Sequence, residues 1–181
     1  MSKLIVCLTG MPGAGKSTIA AGLKEKGLEV FNMGDAIRAE AKRRNLEPTG
    51  KNLGKLMLEL REKNGPGVVA ELTQPNITNS SSSVIIIDGI RSNHEIEVFK
   101  KIGTVKLLLI EATSDTRFNF LHERDRSDDP KTRELFDERD KREIDVGLSG
   151  SIASADETIS NSNLTKEELI EKAYKTIQSW I

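Results

Sequence analysis

The chain has 181 residues, 36% hydrophobic and 30% charged, with a formal net charge of −1. That is enough chain for one domain with a substantial core, and it gives no overall field favouring nucleic acid or a membrane surface. The one cysteine, Cys7, excludes an internal disulfide and a multi-cysteine zinc site, and no apolar run approaches a membrane span.

Residues 4–8 form a continuous apolar run, as in a strand buried on both faces. The run passes directly into Gly10, Met11, Pro12, Gly13, Ala14, Gly15, Lys16 and Ser17, which satisfies G-x-x-x-x-G-K-[ST]. In such a loop the glycines permit a tight turn whose N–H groups surround phosphate oxygens, and the following helix adds its positive end. The short N-terminal apolar run lacks the shape of a signal peptide, so a cytoplasmic protein is expected. Ile19, Ala20 and Leu23 give the helix its apolar spacing, and Gly27 is its expected stop.

Glu29–Asn32 is a short second strand. A helix follows from Met33 to about residue 45, with Asp35 in its first turn. Thr49 caps the next helix, whose Leu53, Leu56, Met57 and Leu60 make a core-facing stripe. A shorter helix is expected over residues 68–72, limited by Pro75, and residues 79–83 are a serine-rich loop. Val84–Asp88 is a strand ending in a carboxylate. Ser92 and Glu95 predict a capping box for a helix bearing Ile96, Phe99 and Ile102.

Residues 105–110 are another strand, and a helix beginning at Ser114 carries Phe118 and Leu121. Residues 122–143 are dense in charge of both signs. Acid–base pairs at i, i+4 suggest an exposed helix there, capped by Asp129 with Pro130 following. Leu135 and Phe136 are its few large apolar residues, which predicts weak attachment to the core. Residues 156–161 form a last edge strand, and Thr165 with Glu168 caps a C-terminal helix. His94 and His122 read as exposed helix residues.

Strands alternating with helices, several of them wholly apolar, predict a three-layer α/β/α domain with a doubly wound parallel sheet. Ligands in such sheets bind beyond the carboxyl ends of the strands. There the phosphate loop, residues 32–35 and residues 88–91 converge. Asp88 is the expected place for a carboxylate on Mg²⁺, although a strand-ending turn also explains it. Arg38 and Arg91 could clamp a second anion, or each could be a surface residue paired with an acid.

Taken together, these residues resemble the nucleoside monophosphate kinases, the adenylate kinase group in particular. Gly34-Asp35-Ala36-Ile37-Arg38 is similar to the G-D-x-x-R of that group. Asp88-Gly89-Ile90-Arg91 is similar to its D-G-x-P-R, lacking one position and the proline. Arg126-Ser127-Asp128-Asp129 with Arg139 resembles its lid segment, and residues 155–161 resemble the end of dephospho-CoA kinases. The whole chain is most similar to an archaeal family of kinase-like P-loop proteins.

The resemblance implies a P-loop NTPase fold, five parallel strands in the order 2-3-1-4-5, as one domain over residues 1–181. It implies an acceptor-binding helical segment at about 33–78 and a short lid at about 122–143. ATP and Mg²⁺ are the implied cofactors. Residues 10–18, ending in Ser17 and Thr18, would hold the donor phosphates with Arg126, and Ser17 and Asp88 would hold Mg²⁺. Gly34, Asp35, Arg38 and Arg91 would bind the acceptor, a small nucleotide, and Lys16, Arg38, Asp88, Arg91 and Arg126 would serve transfer. Glu95 stands where AMP-accepting members place a glutamine, which leaves the acceptor base open. Two other functions remain: a kinase with a hydroxyl acceptor and Asp35 as base, or a nucleotide-dependent switch acting on a protein partner.

Overall fold

A computed structural model describes residues 2–126 and 129–181. Its elements are β1 (Lys3–Thr9), α1 (Lys16–Glu25), β2 (Glu29–Asn32), α2 (Met33–Arg43), α3 (Gly50–Asn64) and α4 (Val68–Asn79). There follow β3 (Val84–Asp88), α5 (Asn93–Lys100), β4 (Gly103–Glu111), α6 (Ser114–Arg124), α7 (Arg133–Val146), α8 (Leu148–Ala153), β5 (Glu157–Ser160) and α9 (Lys166–Gln178). The five strands make one parallel sheet in the order β2-β3-β1-β4-β5, the order that the resemblance implies.

Strand alternation divides the core. Ile5, Cys7, Ile85, Ile87 and Leu107 face α2, α3, α4 and α5, whereas Val6, Leu8, Ile86, Leu108 and Ile110 face α1 and α9. Each such buried side chain contributes about 1.5–3 kcal/mol. Burial on both faces is why the strands are apolar throughout rather than alternating. Among the described residues no helix is long and apolar enough to cross a membrane.

Three local expectations are corrected. Pro75 does not end its helix: α4 runs from Val68 to Asn79. The missing proline N–H costs about 3 kcal/mol, but Val68, Val69 and Ile77 are all buried on that helix, and together they outweigh it. Ser92 and Glu95 form no capping box, since the Ser92 side chain makes no cap bond. Glu95 is fully buried and turns to a charged partner, Arg61, at 2.7 Å and to the Arg91 amide at 2.7 Å. Asp129 does not cap α7 either; Thr132 does, accepting from the Leu135 amide. Asp129 is buried, and three arginines claim it, two by side chain and one by amide. The capping box on α9, by contrast, is present as expected between Thr165 and Glu168.

Candidate functional site

The loop after β1 is shaped by close approaches. Gly10 has φ 143°, and a Cβ there would lie 2.1 Å from the Ile110 carbonyl oxygen in β4. Gly15 has φ 115°, and a Cβ there would lie 2.6 Å from the Asn161 side-chain nitrogen. Both positions therefore exclude any side chain. The same Asn161 amide donates to the Ala14 carbonyl at 2.8 Å, and Arg117 Nη1 donates to the Pro12 carbonyl at 3.0 Å. With these two carbonyls held, and the Ala14 amide spent on the Met11 carbonyl at 3.2 Å, the other loop amides and the first turn of α1 are available to an anion. Thr9, directly before the loop, shares a buried 2.7 Å hydrogen bond with Ser151 of α8.

Lys16 Nζ donates to the carbonyls of Gly10 at 2.6 Å and Met11 at 3.0 Å. Burial lowers its pKa to about 8 against the opposing pull of Asp88. A buried amine whose hydrogen bonds among the described residues go to carbonyls gains from a nearby negative charge.

A cleft of about 880 Å³ lies over this loop at the carboxyl ends of the strands. Gly10, Pro12, Gly13, Gly15, Lys16, Ser17 and Thr18 line it. Gly34, Arg38, Asp88, Arg91 and Arg126 line it as well, and Asp88 and Arg91 are near enough to act electrostatically on Lys16. Ala14 is fully buried in the core instead, so only its backbone serves the loop, and Met11 takes part through its carbonyl. Asp35 stays outside the cleft lining and pairs with Arg38 at 2.8 Å near the surface. Of residues 33–78, Gly34 and Arg38 reach the cleft, while α3 and α4 turn their apolar faces to the core. Ser127 and Asp128 lie outside the described residues.

Asp88 is nearly buried and accepts from the Asn32 side chain at 3.1 Å. Asn32 in turn caps α2 through the Gly34 amide at 2.7 Å. One residue thus fixes the carboxylate and the start of the helix that carries Arg38. Among the described residues no three His, Cys, Asp or Glu side chains cluster as a metal cage. Ser17 and Asp88 offer a sparser set, one hydroxyl and one carboxylate on the same cleft. That set suits Mg²⁺, which retains waters and takes substrate phosphate oxygens.

Arg91 donates from Nε to Glu143 Oε2 at 2.7 Å and from Nη1 to the Gly89 carbonyl at 3.3 Å. Burial disfavours its charge, but Glu143, with Glu95 and Asp88 nearby, raises its pKa above the ordinary value. Burial likewise works against the Glu143 carboxylate, and Arg91 holds its pKa below the usual range. Asp129 joins Arg124, at 2.8 Å from Nε, to Arg139 at 3.3 Å and to the Arg126 amide at 3.0 Å. This gathers three arginines, all of which line the cleft.

Arg117, Asn161 and Glu143 were not identifiable as site residues in the sequence. Arg117 is 6% exposed and binds Asp140 through two bonds of 2.9 and 2.6 Å. Its one sequence signal was a charged residue four before Leu121, on the buried face of α6.

A family model described as an AAA domain matches residues 9–136. The UPF0200 protein of Hyperthermus butylicus is 40% identical, covering 97% of this chain and 94% of that one. The UPF0200 protein of Pyrococcus furiosus is 42% identical, covering 87% and 88%. Among solved structures, TT1252 from Thermus thermophilus superposes with a TM-score of 0.69 at 17% identity, covering 100% of this chain and 99% of that one. Shikimate kinase from Acinetobacter baumannii, in complex with shikimate, gives 0.61 at 18% identity, with 99% and 94% covered. These two share the fold. On its fold, its phosphate loop and its relatives, the chain belongs to the UPF0200 family of archaeal P-loop kinase-like proteins.

Proposed function

We propose that this protein is an ATP-dependent phosphotransferase that uses Mg²⁺ and passes the γ-phosphoryl group to a small phosphate-bearing, nucleotide-like acceptor. One observation carries the reading: a single cleft is lined both by the phosphate loop and by Arg38 and Arg91, with Asp88 on the same cleft beside the strand that leads into the loop. A phosphate acceptor is already anionic and needs no general base. One of its oxygens forms the new bond to the γ-phosphorus while the bond to the ADP oxygen breaks. The protein's task is then to align the two anions and neutralise their charge.

In this reading residues 10–18 cradle the donor phosphates, and Lys16 leaves the loop carbonyls to follow the transferring group. Ser17 and Asp88 would hold Mg²⁺, which when bound supplies charge neutralisation at the β- and γ-phosphate oxygens. Arg38 and Arg91 orient the acceptor, and Arg126 on the lid side limits water access. A second reading, a nucleotide-dependent switch, is favoured by the Arg117 link between the Pro12 carbonyl in the loop and Asp140 on α7. A change in the loop would reach the lid helix through that contact.

The test is a turnover screen of ATP and Mg²⁺ against nucleoside monophosphates and dephospho-CoA, with the Lys16→Ala variant beside the native chain. Transfer to one phosphate-bearing acceptor, absent in the variant, is expected. If ATP is only slowly hydrolysed whatever acceptor is added, the switch takes precedence. If Lys16→Ala changes neither ATP affinity nor turnover, the donor site is misplaced.

A further inference from the structure

Glu95 and Arg61 are the least expected charges in this fold. Glu95 is fully buried on the first turn of α5, and the Arg61 side chain on α3 is only 10% exposed. The two carboxylate oxygens are divided: Oε1 accepts from Arg61 Nη2 at 2.7 Å and Oε2 from the Arg91 amide at 2.7 Å. Arg61 Nε and Nη1 are buried without a hydrogen-bond partner among the described residues, as is Ser92 Oγ. As a device for stability this is poor, because an apolar pair of similar volume often does as well as a buried ion pair, and unpaired buried donors are unfavourable. Such violations of local rules concentrate where function requires them.

The carboxylate lies where it controls a cleft residue. Glu95 holds the backbone of Arg91, and the Arg91 side chain lines the cleft, with Nε on Glu143 of α7 and Nη1 on the Gly89 carbonyl. Neither Arg61 nor Glu95 lines the cleft. Gly147, at the α7–α8 junction, closes over the same turn, since a Cβ there would lie 3.2 Å from Ser92 Cβ. A continuous line of alternating charge therefore runs from α3 through Glu95 and the Arg91 turn to α7.

We propose that Arg61 and Glu95 are positioning residues for Arg91: the buried pair fixes the 88–91 turn so that the Arg91 guanidinium meets the acceptor's anionic group. The proposal rests on the reading of Arg91 as an anion-binding residue, and its test separates the two.

The full-length protein is saturated with Mg²⁺ and a non-hydrolysable ATP analogue, and inorganic phosphate is titrated in by calorimetry. Native protein should bind phosphate, and Arg91→Met should not. The double variant R61M/E95M keeps an apolar match across α3 and α5 and should stay folded. Its phosphate affinity should fall about tenfold or more, as for a displaced binding group, with analogue affinity within about twofold. Glu95→Gln, nearly isosteric, is the second variant. The two donors sit on different carboxylate oxygens, and the variant's amide NH2 would face one of them as a donor, so one contact is lost and phosphate affinity should fall in the same selective way. If both folded variants keep native phosphate affinity while Arg91→Met loses it, the pair is purely structural and the proposal falls. If native protein binds no phosphate, or Arg91→Met binds it as tightly as native protein does, the anion-site reading fails first and takes the proposal with it.

Discussion

Before any phosphate arrives, the Lys16 amine is held 2.6 Å from one loop carbonyl oxygen and 3.0 Å from another, and its pKa is lowered to about 8 by burial. A bound triphosphate would raise that pKa, because negative charge near the amine favours its protonated form. The sign follows: below pH 8 the free amine is already charged, and binding takes up no proton there. Above pH 8 the free protein has lost the proton, so binding must take one up, and affinity falls as pH rises. ATP affinity should therefore weaken between pH 8 and 9.5 in the native chain and stay level in Lys16→Met. Calorimetry in buffers of different ionisation enthalpy would show proton uptake at the higher pH. Equal affinity across that range in the native chain would place Lys16 away from the phosphates. At this scale the site was legible where its logic is local. Gly10 to Ser17 announce themselves because the turn, the amides and the lysine are contiguous. Arg117 and Asn161 do not, since their loop partners lie 105 and 147 positions away. The role of Glu143 depends likewise on Arg91, 52 positions earlier.

Helix α7 shows how elements were misread and why. Its charge density predicted a loosely attached lid, yet Phe136 is fully buried, with the Arg117 guanidinium 4.8 Å above its ring. Phe136, Asp140 and Glu143 recur at four- and three-residue spacing on one face. Through them α7 is docked on Arg117 and Arg91 at once. The apolar stripe that normally marks a docked helix is here replaced by one ring and two carboxylates, so hydropathy periodicity missed it. The same cause lies behind Glu95, a buried acid that a cap rule explained too readily. Asp140→Ala should leave Arg117 buried without its carboxylate and destabilise the protein by about 3 kcal/mol. Asp137→Ala, on the exposed side, loses only a 3.7 Å surface pair and should cost about 0.5 kcal/mol or less. Urea unfolding measures both, and hydrogen exchange should quicken across α7 in the first variant alone. Equal effects would show that Asp140 does not dock the helix.

Across the whole molecule, the sheet order puts the carboxyl ends of β1, β2 and β3 side by side, with Asn32, Leu8 and Asp88 in register. That arrangement was readable because buried parallel strands and crossover helices permit few other topologies. The two cores meet along the same strands, and the loop is tied into one of them: Ala14 packs with α1 and α9, while Asn161 beyond β5 holds its carbonyl. A ligand on this loop should consequently stabilise the entire fold rather than one segment. At about a hundredfold excess over Kd the gain is about 2.7 kcal/mol, or a rise in Tm of about 5–10 °C for a domain of this size. Asn161→Ala tests whether the clamp makes the loop fit for this. Removing the amide frees the Ala14 carbonyl, so the unliganded protein should lose about 1 kcal/mol. The loop must then be ordered at the expense of binding, which should shrink the Tm rise produced by ATP and Mg²⁺. As a control, the exposed Lys26–Glu171 pair also joins the N-terminal and C-terminal helices, at 3.0 Å. Glu171→Ala should leave both quantities near native values, because exposed pairs contribute little. Thermal scans with and without ligand on the three proteins decide the matter. A Tm rise in Asn161→Ala equal to the native one would mean that the glycines alone shape the loop and that its tie to β5 is incidental.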